Sequence, residues 1–182
     1  MMYLLVQGLT YTHSKKRYFS RLLAFAILSQ VPFSLAFGTL RLNFLFTLVV
    51  AFMFLFFLEK FRSRWQATSF VQNLFGLFMC AVFFMLFGFC DWSWLAFVEC
   101  LIFYWLKLTK PLYSFSLVSL MYGLFMASRG YMISVYGIGM VLLILVGLML
   151  TYCYHGKQGK YRLKWFFYGF YPLHLLFLLL VF

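Results

Sequence analysis

The chain predicts an all-α protein, a polytopic transmembrane helical bundle of about seven full spans preceded by a truncated N-terminal span, forming one domain over residues 1–182. Three observations carry this. Of the 182 residues, 66% are apolar and 25% aromatic, more than one soluble core of this size could cover. The apolar residues gather in stretches close to the ~20 residues that cross a bilayer. The lysines and arginines fall in the breaks between those stretches and alternate in density from one break to the next.

In chain order the expected spans are 18–37, 42–59, 67–90, 92–107, 112–127, 131–154 and 165–182. The breaks are short, which suits antiparallel helical hairpins. One set of breaks holds Lys15, Lys16, Arg17 and Arg21, then Lys60, Arg62 and Arg64, then Lys107 and Lys110, and last Lys157, Lys160, Arg162 and Lys164. The other set holds only Arg41 and Arg129. The rich set is expected in the cytoplasm, which puts the C-terminus outside. Residues 1–12, "MMYLLVQGLTYT", lead into the first basic break, so Met1 is expected toward the outer side. Twelve helical residues reach about 18 Å, short of a hydrocarbon core of about 30 Å. The expectation is a chain that begins inside a helix, with an earlier helix missing or supplied elsewhere.

A net charge of +12 would fit nucleic acid if it formed a soluble patch. Loops between spans account for it through topology, so no nucleic-acid partner is expected; the bilayer is. Cys80, Cys90, Cys100 and Cys153 form no C-x-x-C pair and lie in apolar runs, so they read as packing residues with no metal role. "HGKQGKYRLK" (155–164) lacks the spacing of a phosphate-binding loop.

Ionisable groups inside spans are the natural candidates for chemistry, because they are costly there and face the bundle interior or a wet cavity. His174 lies near the middle of the last span, two residues after Pro172. The proline frees a backbone carbonyl one turn earlier, which is tolerated only where protein or water satisfies it. A kink beside an imidazole suggests a small polar cavity, with His174 either a general base or a hydrogen-bonded strut between helices. Glu99 lies mid-span in 92–107, where desolvation favours its neutral form. It either pairs, donates as an acid or lines the reactant path. Asp91 heads the same span, as an N-cap or a site residue, with Arg41 and Arg129 the cations on its side. Either arginine could pair with Asp91 or hold an anionic part of an acceptor. Gln30, Asn43, Thr47, Gln72 and Asn73 read as interhelical hydrogen-bonding partners, and the abundant aromatics as lipid-facing bulk and interface belt.

Four stretches together resemble the TraX family. "LLVQGLTYTHSKKRYFSRLLAFAILSQVPF" (4–33) is similar to its segment in which a glycine and threonine lead to a basic loop, a basic-leucine pair and an "SQ-x-PF" turn. "LNFLFTL" (42–48) resembles its next helix start, and "CDWSW" (90–94) its Asp-aromatic-Gly element, with Ser93 in place of the glycine. "FFYGFYPLHLL" (166–176) is similar to the terminal "FY-x-FYP-x-HL" signature. The family is named for a protein that acetylates the N-terminus of conjugative pilin. The resemblance therefore implies an integral-membrane acyltransferase of a bacterial-type cytoplasmic membrane, with acetyl-CoA as co-substrate. It implies roles for His174 and Asp91, and for Arg21 in the basic-leucine pair. The family pattern is apolar where Glu99 stands, so nothing is carried over there. Family members begin with a helix that ends in an Asp-His pair, and none precedes Met1; activity is expected to depend on that helix.

The expectation is direct acetyl transfer to an amine or hydroxyl acceptor, a pilin N-terminus, a surface glycan or a small amine, with His174, Asp91 and Glu99 catalytic. Arg17, Arg21, Lys157, Lys160 and Arg162, with Arg41 and Arg129 on the other side, would hold the charged parts of the substrates. The basic breaks also read as purely topological, touching anionic lipid. The rival is a non-catalytic transporter or assembly factor. A transporter would show paired broken helices, and only one proline-interrupted span stands near the C-terminus.

Overall fold

A computed structural model of the chain describes residues 2–64, 70–106, 111–128 and 164–181, with positions 139, 142, 146, 147 and 149. The expected span at 131–154 and the basic break after it thus fall almost wholly outside the described residues. The helices are α1 (Met2–Tyr11), α2 (Lys15–Phe37), α3 (Phe44–Arg64), α4 (Phe70–Gly88), α5 (Ser93–Leu106), α6 (Pro111–Ser128) and α7 (Lys164–Val181). Among the described residues the only non-helical pairing is one isolated parallel bridge, Leu42 to Cys90. The fold class is therefore all-helical, as expected. Length and apolarity support membrane crossing for three helices, Lys15–Phe37, Phe44–Phe61 and Phe70–Gly88. The apolar parts of the others are shorter: Trp94–Trp105, Tyr113–Phe125 and Tyr168–Leu180. Association with a membrane follows from these helices; a count of about seven full spans does not.

The ends of the helices have local causes. Ser14 caps α2, its hydroxyl accepting from Arg17 N at 3.4 Å, so the helix takes in Lys15–Arg17 and begins before the expected residue 18. The "SQ-x-PF" segment, expected as a turn, lies inside α2 with Pro32 buried. The turn comes at Gly38, whose φ of 59° is left-handed and closes the helix. Pro111 opens α6, where its missing N–H is no loss.

The chain divides into two compact units, Met1–Cys100 with Tyr161–Phe182, and Leu101–Lys160. In the second, α6 packs through Phe115, edge-on to Phe103 at 5.1 Å. The first holds the rest. There α2 and α3 form an antiparallel hairpin: Lys15, at the start of α2, meets Glu59 near the end of α3. At the opposite end, the Asn43 amide donates to Ala26 O at 2.8 Å. Asn43 N donates to Gln30 Oε1 at 3.0 Å, and Gln30 Nε2 to Arg41 O at 2.9 Å. The interhelical role expected of Gln30 and Asn43 is met. The α3–α4 pair is also antiparallel, with Phe57 near Phe75 and Phe54 near Phe83. Its turn is tied back by Leu42 N to Phe89 O at 3.0 Å and Asp91 N to Leu42 O at 2.9 Å.

α7 runs parallel to α2: Tyr168 stacks on Phe25 at 5.2 Å, and Leu175 shares a cavity with Phe33 and Phe37. α1 runs against α2. Gly8 lets the Tyr18 ring approach so closely that a Cβ would lie 2.9 Å from it, while Met2, Leu5, Val6 and Leu9 are buried. α3 is the central helix, with Leu45, Leu48, Ala51, Phe52, Phe54 and Leu55 all buried. α4 buries only Phe83 and Phe87 and presents Phe70, Val71, Leu77 and Phe78 outward, as suits a helix long and apolar enough to cross a membrane.

Candidate functional site

A cavity of about 390 Å³ lies at the end of the first unit that holds the α2–α3 turn. Five separate segments build it. α1 brings Met2, α2 brings Phe33 and Phe37, α3 brings Phe44, the 91–99 segment brings Asp91, Trp92 and Glu99, and α7 brings Tyr171, His174 and Leu175. The three residues expected to be catalytic, His174, Asp91 and Glu99, thus share one cavity, although they lie far apart in sequence.

His174 sits on the apolar helix α7, just after the proline. Its Nδ1 lies 3.1 Å from the Phe170 carbonyl one turn back. A carbonyl only accepts, so Nδ1 carries the proton and Nε2 holds the basic lone pair. The ring is further held between Phe170, stacked at 5.3 Å, and Tyr171, edge-on at 5.1 Å. Pro172 is buried on a different face and supplies no N–H to the turn before it. This keeps the imidazole in one tautomer and one orientation, the requirement for a group that must take a proton at a fixed place.

Asp91 was expected to cap its helix if it had only a structural part. α5 begins at Ser93, and Ala96 N bonds Trp92 O at 3.3 Å, so Trp92 holds the capping place. The Asp91 backbone is instead fixed by Leu42 O, which leaves its carboxylate in the cavity wall. Partial burial pushes its pKa above the ordinary carboxylate range, and the charge of Arg41 pulls it partly back. Glu99 stands two turns into α5 on the same wall.

Phe44, Trp92 and Tyr171 form an aromatic wall, with Phe44 5.6 Å from Trp92 and 6.4 Å from Tyr171. The Tyr171 hydroxyl accepts from Phe44 N at 3.3 Å. Many aromatics do lie on the outer surface, among them Phe70, Phe78, Phe89 and Trp105, while these three line the cavity. In a chain one quarter aromatic, no compositional signal separates a lining ring from a lipid-facing one. Tyr171 had a cue in its place three residues before His174, and Trp92 had one as the aromatic next to Asp91 in "CDWSW".

Among the described residues, none of the expected cations, Arg17, Arg21 and Arg41, lines this cavity. Arg41 lies beside it, in a groove with Thr39, Leu42 and Phe89, and acts on Asp91 through its field. Arg17 and Arg21 belong to the Lys15 end of α2. The Arg21 Nε is buried with no hydrogen-bond partner among the described residues, and its charge lies near Tyr168. Arg129, Lys157, Lys160 and Arg162 lie outside the described residues.

No curated protein and no solved structure matches the chain. The family model described as TraX protein matches residues 1–182. From end to end, the chain belongs to the TraX family.

Proposed function

We propose that the protein is an integral-membrane acyltransferase that moves an acetyl group from acetyl-CoA to an amine or hydroxyl acceptor, with the described helices part of a bundle of about seven spans. The observation that carries this reading is the meeting of His174, Asp91 and Glu99 in one cavity. In the proposed step, an acceptor amine held as its ammonium first gives one proton to a cavity carboxylate, and His174 Nε2 then takes the proton of the neutral amine or hydroxyl as its nitrogen or oxygen attacks the thioester carbonyl. A new C–N or C–O bond forms, the C–S bond breaks, and the CoA sulfur leaves with the proton from the imidazolium. The carboxylates lower the cost of the imidazolium, and they suit a cationic acceptor better than an anionic one. Among the described lining residues are two carboxylates and no lysine or arginine, and the ring faces of Phe44, Trp92 and Tyr171 attract an ammonium further. An amine acceptor, such as a peptide N-terminus, is therefore favoured over a glycan hydroxyl.

The distribution of lysine and arginine supports a cytoplasmic Lys15 end and an outer Asp91 end, with the C-terminus outside. The donor's phosphates then fall to the basic end, where Arg21 offers a buried Nε without a partner among the described residues, one turn from Arg17; Lys157, Lys160 and Arg162 would serve the donor by belonging to the same lysine- and arginine-rich side of the membrane. Arg41 and Arg129 would serve the acceptor side. The test is transfer from acetyl-labelled acetyl-CoA to an amine-bearing peptide, with the protein expressed from its full reading frame in proteoliposomes. Transfer that is lost in His174→Gln supports the reading. No transfer to amine or hydroxyl acceptors by the folded protein overturns it in favour of a non-catalytic transporter or assembly factor.

A further inference from the structure

A second cavity, of about 380 Å³, lies at the Lys15 end of the bundle and is separate in its lining from the first. Its floor is Phe52 and Phe83, both buried, and its sides include Phe19 and Phe56. Met53 and Phe56 also line it while remaining on the outer surface, so the cleft opens sideways from the bundle, toward the lipid. Lys15 and Lys16 stand at its rim. The whole chain has three carboxylates, Glu59, Asp91 and Glu99, and only Glu59 is at this end. It is taken by Lys15, at 2.5 Å, which also lies 5.7 Å over the Phe56 ring. Lys16 has no acidic partner among the described residues, and no other residue of the chain could give it a carboxylate side chain at this end.

The chemistry this cleft would recognise is an apolar chain joined to an anion. Its interior is almost wholly hydrocarbon, its opening faces lipid, and its rim carries a positive charge that the protein does not neutralise. Helix α2 begins at this rim, so its positive end adds to the same field. We propose that the cleft between α2, α3 and α4 is a binding site for an anionic phospholipid, one acyl chain lying over Phe52 and Phe83 and the phosphate on Lys16. This stands on membrane placement alone and does not need the acyltransferase reading.

The experiment uses the purified full chain, delipidated in detergent and titrated with phosphatidylglycerol or phosphatidylcholine of equal chain length. Native mass spectrometry reads bound lipid, and a photoactivatable phosphatidylglycerol maps where it crosslinks. One phosphatidylglycerol should bind at least fivefold more tightly than phosphatidylcholine and crosslink within the α3 segment containing Phe52–Phe56. Lys16→Gln should abolish the preference and Lys16→Arg restore it, while Lys60→Gln, outside the cleft, should leave it in place. Equal loss in Lys16→Gln and Lys60→Gln would reduce the effect to general surface charge and overturn the site. Displacement of the lipid by one equivalent of acetyl-CoA, with crosslinks from the coenzyme at Phe52–Phe56, would assign the cleft to the donor instead. Since no acyl transfer is measured, failure here is distinct from failure of the proposed reaction.

Discussion

The Tyr171 hydroxyl accepts a hydrogen bond from the Phe44 backbone N–H at 3.3 Å, joining α7 to the first turn of α3 across the cavity wall. The first N–H groups of a helix have no partner within it, so the tyrosine satisfies an orphan donor while holding its own helix in register. His174 lies one turn further along α7, and its ring contacts Tyr171 edge-on at 5.1 Å. The bond therefore bears on where the imidazole sits.

Tyr171→Phe keeps the ring and removes the acceptor. The expected cost in stability is about 1 kcal/mol, with a larger fall in kcat than in donor affinity, because the base is displaced while the basic end is untouched. A thermal-melt series with single-turnover kinetics separates the two. Unchanged kcat in Tyr171→Phe would show that the α3 tie does not position His174.

The hairpin turn offers a sharper stability test. Asn43 is fully buried, and its amide meets the Ala26 carbonyl while its backbone meets Gln30. Asn43→Ala leaves a buried carbonyl short of a partner, at an expected cost of about 1–3 kcal/mol. It also removes the side-chain acceptor of Phe46 N. Asn43→Asp should not rescue, because a carboxylate offers no donor to Ala26 O. Loss of folded yield in detergent is the measurement, and a neutral Asn43→Ala would contradict the network.

Asp91 gives a pH dependence whose sign follows from its surroundings. Burial raises its folded pKa above the unfolded value, with Arg41 opposing. The folded state then binds the proton more tightly, so stability falls as pH rises from the ordinary carboxylate range through the raised folded value. Asp91→Asn should remove that slope, so its melting temperature should gain on the parent as pH rises through this window. Arg41→Gln should steepen the slope. A parent and Asp91→Asn pair whose melting curves shift in parallel with pH would contradict the assignment.

How much of this could be read in advance depends on the kind of signal. Apolar runs and their basic ends marked the helices to within a few residues at 92–107 and 112–127, because both signals are set by lipid and water rather than by neighbours. Asp91, Glu99 and His174 stood out for the same reason, as ionisable groups in apolar stretches, and the fold brings them together. The expected span 18–37 ran through Pro32 and α2 does too, but the "SQ-x-PF" turn is absent, and two helices, α2 and α7, carry an internal proline where one was expected. The Leu42–Cys90 pairing was invisible, because backbone hydrogen bonds leave no mark on side-chain identity. Phe44 was hidden among so many other rings.

Orientation can be checked at the described ends of the hairpin. Leu40 is almost fully exposed in the α2–α3 turn, and Arg62 lies near the end of α3. In a background without the native cysteines, a membrane-impermeant maleimide added outside should label Leu40→Cys and not Arg62→Cys. The opposite pattern would turn the Asp91 end toward the cytoplasm and remove the outer acceptor from the proposal.

The last prediction concerns His174 and Pro172, two residues apart on α7 and so on different faces of a helix. The Nδ1 bond to Phe170 O commits the proton to that nitrogen, and Nε2 is left to do the chemistry. His174→Gln can still donate to Phe170 O but cannot take a proton near neutral pH. It should fold and bind CoA, while losing most of its transfer rate, on the order of 10²–10⁴-fold for a general base. His174→Asn, too short to make the same contacts, should lose stability as well. Pro172→Ala returns an N–H to the turn and straightens the backbone, so it should give a milder, mixed change in melting temperature and rate. The two positions then separate by readout: the imidazole in kcat and its pH profile, the proline in both stability and rate. If His174→Gln keeps full transfer and an unchanged pH profile, the imidazole is a strut between α7 and its neighbours, and the base is to be sought among Asp91 and Glu99.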